Sequence, residues 1–367
     1  MSEATPRAAG AATPSEALLS VRDLHVRYRV MGPIKARLAG IDSRFVDAVV
    51  GVSFDVRPGT TFALVGESGS GKSSLGRAII GLTPIQGGRV LFDGTEPLQG
   101  GGRLRAYRRQ IAMMFQDPVA SLSPRLSVQT LLTEPFLIHG LGDRDLAAEA
   151  RRLLGLVGLP ADFAGRYPHQ LSGGQARRVG VARALSLSPK LIIADEPTAG
   201  LDVSVQGDIL NLLARLQREL GLAYIVISHN LAVVRHVADE MAVMYMGRFV
   251  ERGRTADIFR APAHPYTHGL LAAQPYPDPD RRRENVELQG EVPSLTRRPP
   301  GCEFHTRCPH ARDRCRWERP QARRSADGRE LLCHYPLGDL GTASAGSAPA
   351  TGFVVPEIAR SAIVRDP

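Results

Sequence analysis

The run Gly66-Glu67-Ser68-Gly69-Ser70-Gly71-Lys72-Ser73 has the residue types and the spacing to hold a string of phosphates. It is a complete G-x-x-x-x-G-K-S loop. Gly66, Gly69 and Gly71 let the backbone take positive φ and come close to an anion, so that successive N–H groups converge on phosphate oxygens. Lys72 reaches the outer phosphates and Ser73 supplies a hydroxyl for Mg2+. Ser74 follows in the helix that the loop opens, and the positive end of that helix dipole faces the nucleotide. Of 46 basic residues only Lys35, Lys72 and Lys190 are lysines. A lysine at this position therefore points to a need for its compact ammonium.

A phosphate loop indicates a bound nucleoside triphosphate; hydrolysis needs more. Leu191-Ile192-Ile193-Ala194-Asp195-Glu196 is a buried strand ending in two carboxylates. Asp195, at the strand end, is placed to hold the Mg2+ shell opposite Ser73. Glu196 stands where an attacking water could sit, as general base or as its orienting group. Leu171-Ser172-Gly173-Gly174-Gln175 is a second anion site, with a hydroxyl and two glycines at the head of a helix. One triphosphate does not need two such sites within one chain.

The elements that must position these groups follow from periodicity. Thr61–Val65 reads as a buried strand ahead of the loop, with edge strands at Leu18–Tyr28 and Val49–Val56 forming a small antiparallel sheet. Gly87–Gly94 reads as turn, strand, turn, and Ile111–Phe115 as a buried strand ending at Gln116. Residues 117–171 carry mostly helical signals, among them Asp143–Val157. Helices near 174–187 and 205–219 alternate with strands 191–194 and 223–227, the pattern of a parallel sheet covered on both faces. Beyond residue 270 the composition shifts, with Pro, Arg and all four cysteines between 275 and 335.

The totals limit the alternatives. With 367 residues, the chain has room for one large core and an accessory unit. No apolar run approaches the roughly 18–20 residues that a membrane helix needs, and residues 1–17 lack the apolar core of a secretory signal. The expectation is a cytoplasmic protein with disordered ends at 1–17 and 338–367. A net charge of +9 invites a nucleic-acid reading, but aromatics are only 5% and are not interleaved with basic residues, so none is expected.

With the loop, the LSGGQ run and the strand-Asp-Glu motif in this order, the sequence resembles the ATP-binding cassette (ABC) family. The resemblance implies an α/β fold: a P-loop NTPase (RecA-like) core with an antiparallel β subdomain and a helical subdomain, over residues 18–270, the helical part at about 117–171. It implies that Gln116 touches the Mg2+ site, that His229 in Ile227-Ser228-His229-Asn230 contacts the γ-phosphate, and that Asp202 lies at a subunit interface. Tyr28 would stack on adenine, although a strand-end tyrosine is about as often packing. Catalysis would rest on Glu196, His229 and Lys72, with ATP and Mg2+ bound along Gly66–Ser74. The LSGGQ of one subunit would close over the phosphate loop of another. Gly200 and Asn230 depart from the commoner alanine and aspartate, and neither change removes a catalytic group.

Gln116-Asp117-Pro118, Ala120-Ser121-Leu122-Ser123-Pro124-Arg125, Tyr167-Pro168-His169-Gln170 and His264-Pro265-Tyr266-Thr267 narrow the resemblance to ATPase subunits of oligopeptide, dipeptide and nickel importers. The basic stretch 31–45 is similar to the second of the two paired ATPases. The expected partners are a second ATPase, with the family pattern favouring a paralogue, two transmembrane permease subunits and an extracytoplasmic solute-binding protein. The chain would sit peripherally on the cytoplasmic face of the membrane. The alternative is a soluble cassette ATPase working on DNA or ribosomes, where two cassettes in one chain are common. Residues 271–337 resemble the C-terminal extension of these importers. Within it Cys302, Cys308, Cys315 and Cys333 leave three readings: a structural 4Fe–4S cluster, favoured because some relatives with this spacing resemble iron–sulfur proteins, zinc, or plain buried thiols.

Overall fold

The computed structural model describes residues 17–29, 45–99, 101–116, 121–273, 288 and 290–338. The expectations for the two chain ends, the basic stretch 31–45 and the Asp117–Ala120 segment lie wholly or largely outside these residues. The chain begins with β1 (Leu19–Arg29), β2 (Phe45–Val56) and β3 (Thr61–Val65), then α1 (Lys72–Ile79), β4 (Gly87–Phe92), α2 (Gly101–Gln110) and β5 (Ile111–Met114). Next come α3 (Val128–Ile138), α4 (Leu146–Leu156), α5 (Gly173–Leu185), β6 (Leu191–Asp195), α6 (Val203–Leu220), β7 (Ala223–Ser228) and α7 (Leu231–Val237). The remainder is β8 (Glu240–Tyr245), β9 (Arg248–Arg254), α8 (Thr255–Arg260), α9 (Pro265–Ala272), α10 (Asp313–Trp317), β10 (Arg323–Arg324) and β11 (Glu330–Leu331).

These strands form two sheets, a three-stranded antiparallel one in the order β2-β1-β4 and a large one in the order β10-β11-β9-β8-β3-β7-β6-β5. The segment β8-β3-β7-β6-β5 is parallel, as the strand–helix alternation predicts. Beyond β8 the sheet turns antiparallel. The sequence pattern does not anticipate that edge, because β9 is the arginine-rich RFVERGR and β10 and β11 are two residues each. The small sheet is as expected in kind, but its first two strands are 11 and 12 residues long and β4 joins it as the third.

Both faces of the parallel strands are covered, which explains their continuous apolar runs. Leu191 and Ile193 of β6 point into a core shared with the small sheet, where Phe54 and Phe62 stack at 4.6 Å. Ile192 and Ala194 point the other way, into a core with α5, α6 and the helical segment. That segment contains α3 and α4, each started by a side-chain cap. Ser127 accepts from the Thr130 N–H and Asp145 from the Ala148 N–H. Because β3, β6 and β7 are parallel and in register, with Val65 beside Ser228 and Asp195 beside Ile227, the phosphate loop, the carboxylates and His229 all leave the sheet at one edge. Ligands of open α/β sheets bind at that edge.

The cysteine-containing extension adds β11 to β9 of the main sheet. Its anchor is Glu251 of β9, fully buried, which accepts N–H bonds from Ala263 (3.0 Å) and His264 (2.9 Å) and pairs with Arg329 at 3.3 Å. Burial raises the Glu251 pKa, and the two N–H groups and Arg329 oppose this. Arg329→Ala strands that carboxylate without its cation and is expected to destabilise the fold by about 3–5 kcal/mol. Urea unfolding of the full chain measures the loss.

Candidate nucleotide-hydrolysis site

The loop after β3 packs so closely that two of its glycines cannot be replaced. A Cβ on Gly66 would meet the Met244 carbonyl oxygen at 2.2 Å, and one on Gly71 the Ala48 carbonyl oxygen at 2.1 Å. Both residues also have positive φ, 151° and 107°. Gly71 is the N-cap of α1, so the loop ends on free N–H groups of a helix start. Lys72, 7% exposed, lies within the loop's curve, its Nζ donating to the carbonyls of Gly66 and Glu67 at 2.8 Å each and to Ser70 Oγ at 3.2 Å. Burial lowers its pKa, while the charges of Glu196, Asp195 and Glu67 hold the proton on.

Asp195 is 3% exposed and takes a hydrogen bond from Ser73. Burial raises its carboxyl pKa and the neighbouring Glu196 adds to this, against Ser73, Arg77 and Lys72. A buried carboxylate beside a serine hydroxyl is a donor pair suited to a hard cation such as Mg2+. Glu196, the next residue, takes φ of 50°, a left-handed turn that swings its side chain out of the strand direction. One carboxylate oxygen meets His229 Nδ1 at 2.7 Å and the other accepts from Gln116 Nε2 at 3.4 Å. Three residues far apart in sequence, Gln116, Glu196 and His229, thus meet around one carboxylate.

Ser172 caps α5 in a reciprocal box. Its Oγ accepts from the Gln175 N–H at 3.3 Å, and Gln175 Oε1 accepts from the Ser172 N–H at 3.0 Å. Gly173 and Gly174 form the first turn, and Ser172 and Gly173 are exposed. Asp202 likewise caps α6, accepting from the Val205 N–H at 2.9 Å and the Ser204 hydroxyl at 2.7 Å, and these bonds lower its pKa. Tyr28 packs against the core, its hydroxyl 3.3 Å from Thr83 Oγ1. Both departures from the family pattern have local reasons. Gly200 has φ of 71°, and Asn230 caps α7 by accepting from the Ala232 and Val233 N–H groups.

Three connections escape the sequence. Arg177 on α5, 6% exposed, donates to the carbonyls of Glu196 (3.3 Å), Pro197 and Ala199 (2.8 Å), tying the LSGGQ helix to the turn that follows β6. Its position two residues after Gln175 is the one available hint. Tyr266 and Arg307 both bind Glu67, and nothing in the sequence links residues about 200 and 240 positions apart.

In the extension the four cysteines are free thiols, with Cys315 and Cys333 buried. Cys302, Cys308 and Cys333 each accept a backbone N–H from two residues ahead, at Phe304, His310 and Tyr335. Burial pushes three of the thiols up, Cys302 to about 11, Cys333 to about 12, and Cys308 in the same direction. Among the described residues no group of three or more His, Cys, Asp or Glu is assembled as a metal site. Nor is any helix long and apolar enough to cross a membrane.

Comparison with known proteins places the chain in a family. A family described as ABC transporter matches residues 49–199, and one described as Oligopeptide/dipeptide transporter, C-terminal region, matches residues 250–315. The chain is 49% identical to the probable peptide ABC transporter ATP-binding protein y4tS of Sinorhizobium fredii, over 87% of this chain and 90% of that protein. It is 42% identical to the oligopeptide transport ATP-binding protein AppF of Bacillus subtilis, over 88% and 98%. Among solved structures it resembles cbiO1 of Clostridium perfringens, with a TM-score of 0.58, 28% identity and coverage of 67% of this chain and 92% of that one. It also resembles the dimeric cassette MJ0796 bound to ADP and Pi, with a TM-score of 0.56, 27% identity and coverage of 65% and 98%. The chain belongs to the ABC transporter family, as one of its ATP-hydrolysing subunits.

Proposed function

We propose that this chain energises the import of peptides or similar small solutes, hydrolysing ATP at the edge where β3, β6 and β7 end. The observation that carries the hydrolytic assignment is the Glu196 carboxylate held between His229 and Gln116, next to the Ser73–Asp195 pair. Both oxygens of Glu196 are thereby oriented, and one of them takes the proton of the attacking water. Lys72 exchanges its neutral acceptors for the outer phosphate oxygens, and His229, 64% exposed on its side chain, is free to turn toward the γ-phosphate. Ser73, Asp195 and Gln116 would hold Mg2+, which when bound neutralises charge on the β- and γ-oxygens. Gly66 to Ser74 line the phosphates and Tyr28 stacks on adenine.

The Ser172-Gly173-Gly174-Gln175 start of α5, exposed at Ser172 and Gly173, serves a partner's nucleotide, and Asp202 lies at the same interface. The partner is a second ATPase, a paralogue by the family pattern. The pair docks on two permease subunits at the cytoplasmic face of the membrane, fed by an extracytoplasmic binding protein. Support for a peptide-class solute comes from the match of 250–315 to the oligopeptide/dipeptide C-terminal region and from the names of the relatives. In domain terms, residues 18–270 form the ATP-binding unit and 271–337 the extension.

For the cysteines we take the 4Fe–4S reading. Backbone N–H groups reach the sulfurs of Cys302, Cys308 and Cys333 and would steady thiolates once iron binds, against the burial that holds these free thiols protonated. A cluster there would cross-link the extension.

Glu196→Gln is expected to retain ATP binding while phosphate release falls by about a hundredfold or more; near-normal turnover refutes the role. The chain without its partner ATPase should bind ATP yet hydrolyse it slowly, with a rate per subunit that rises when the partner is titrated in. Iron and acid-labile sulfide assays on anaerobically purified protein should find about four of each per chain. Finding neither overturns the cluster.

A further inference from the structure

Glu67, the second residue of the phosphate loop, is gripped from outside the loop at its backbone N–H and at its carboxylate. Its backbone N–H donates to Tyr266 Oη at 3.0 Å. Its carbonyl accepts from Lys72 Nζ. Its carboxylate accepts two bonds from Arg307, Nη1 to Oε2 at 2.7 Å and Nη2 to Oε1 at 2.9 Å, and a third from Tyr266 Oη at 3.3 Å. The Arg307 side chain is only 4% exposed, and Glu67 27%. A two-pronged pair at that burial is directional and hard to break.

Arg307 belongs to the C-terminal extension, and its neighbours there reinforce the grip. Phe304 packs against Tyr245 of β8 and Tyr266 of α9, both at 5.3 Å, and the Arg307 guanidinium lies 5.9 Å from the Tyr245 ring centroid. A second arginine of the extension reaches the loop through one intermediate. Arg298, paired with Glu303 at 2.7 Å, donates to the carbonyls of Met246 (2.7 Å) and Asp47, bracing the turn whose Gly247 N–H binds the Ser70 carbonyl at 2.8 Å.

We propose that Arg307 is a positioning residue for ATP: through Glu67 the extension holds the phosphate loop of its own subunit in the shape that receives phosphate. The proposal rests on the reading of Gly66–Ser73 as the ATP site. It assigns the extension a task inside the nucleotide site, distinct from anchoring itself to the sheet, which Glu251 and Arg329 accomplish elsewhere. Peptide orientation at Glu67 sets where the Lys72 ammonium rests, so releasing the carboxylate loosens lysine and loop together.

The test uses the full chain with Mg2+ and a fluorescent ATP analogue, alongside steady-state kinetics with its partner ATPase. Arg307→Ala should weaken nucleotide affinity and raise KM for ATP by about tenfold, with a smaller change in kcat. Glu67→Gln should do the same, and the double variant should be no worse than either single one. Arg307→Lys should recover part of the affinity. Arg329→Ala, which loosens the extension away from the loop, should lower the unfolding midpoint and leave affinity unchanged. Additive effects of the two substitutions, or wild-type affinity in Arg307→Ala, would overturn the proposal. If Arg307→Ala fails to fold, wild-type affinity in both Arg307→Lys and Glu67→Gln overturns it equally. A wild-type chain that binds no ATP removes the nucleotide-site reading itself, a different failure.

Discussion

The site depends on keeping an ammonium charged where little water reaches it. Lys72 is 7% exposed, and burial alone would favour its neutral form. Asp195, Glu196 and Glu67 oppose that loss, and the carbonyls of Gly66 and Glu67 accept its hydrogens. The dependence is mutual. Asp195 is pushed toward its neutral form by burial and by Glu196, and Lys72 and Arg77 pull it back. Neither charge sits well without the other, so the loop after β3 and the end of β6 must stay together. Parallel pairing of β3 with β7 and of β7 with β6 enforces this.

The same crowding accounts for the glycines and for the extension. A loop lying against the carbonyls of Met244 and Ala48 leaves no room for a Cβ at Gly66 or Gly71. Its inner side is then set by the β8–β9 turn and β2, and its outer side by Tyr266 and Arg307. Residues 290–338 consequently meet the core at several places, two of which matter most. One is the sheet edge, where β11 pairs with β9 around the buried Glu251–Arg329 pair, and the other is the nucleotide loop itself. The composition shift beyond residue 270 marks where the sequence changes character, yet contacts with the core continue past it.

Communication between the two anion sites also has a physical route. Arg177 ties the LSGGQ helix to the carbonyls that follow Glu196, while Gln116 joins the end of β5 to the Glu196 carboxylate. The start of α5 is therefore tied by hydrogen bonds to the turn that Glu196 begins.

Much was legible before any coordinates. The phosphate loop, the Asp195–Glu196 pair and the LSGGQ run each carry their chemistry in local sequence, because anion binding by backbone N–H groups needs glycines and a helix start at fixed spacing. The parallel core was legible for a similar reason, since strands covered on both faces must be apolar throughout. Contacts that depend on distant segments were not. The meeting of Gln116 and His229 on Glu196, the hold of Arg177 and the clamp of Arg307 on Glu67 join residues 19 to 240 positions apart. Arginine is abundant in this chain, so composition does not single out the few whose side chains are buried against a carboxylate. Local spacing determined which residues can bind phosphate; only folding decided which distant side chains hold them in place, because an ion pair between remote segments exists only once the sheet has brought them together.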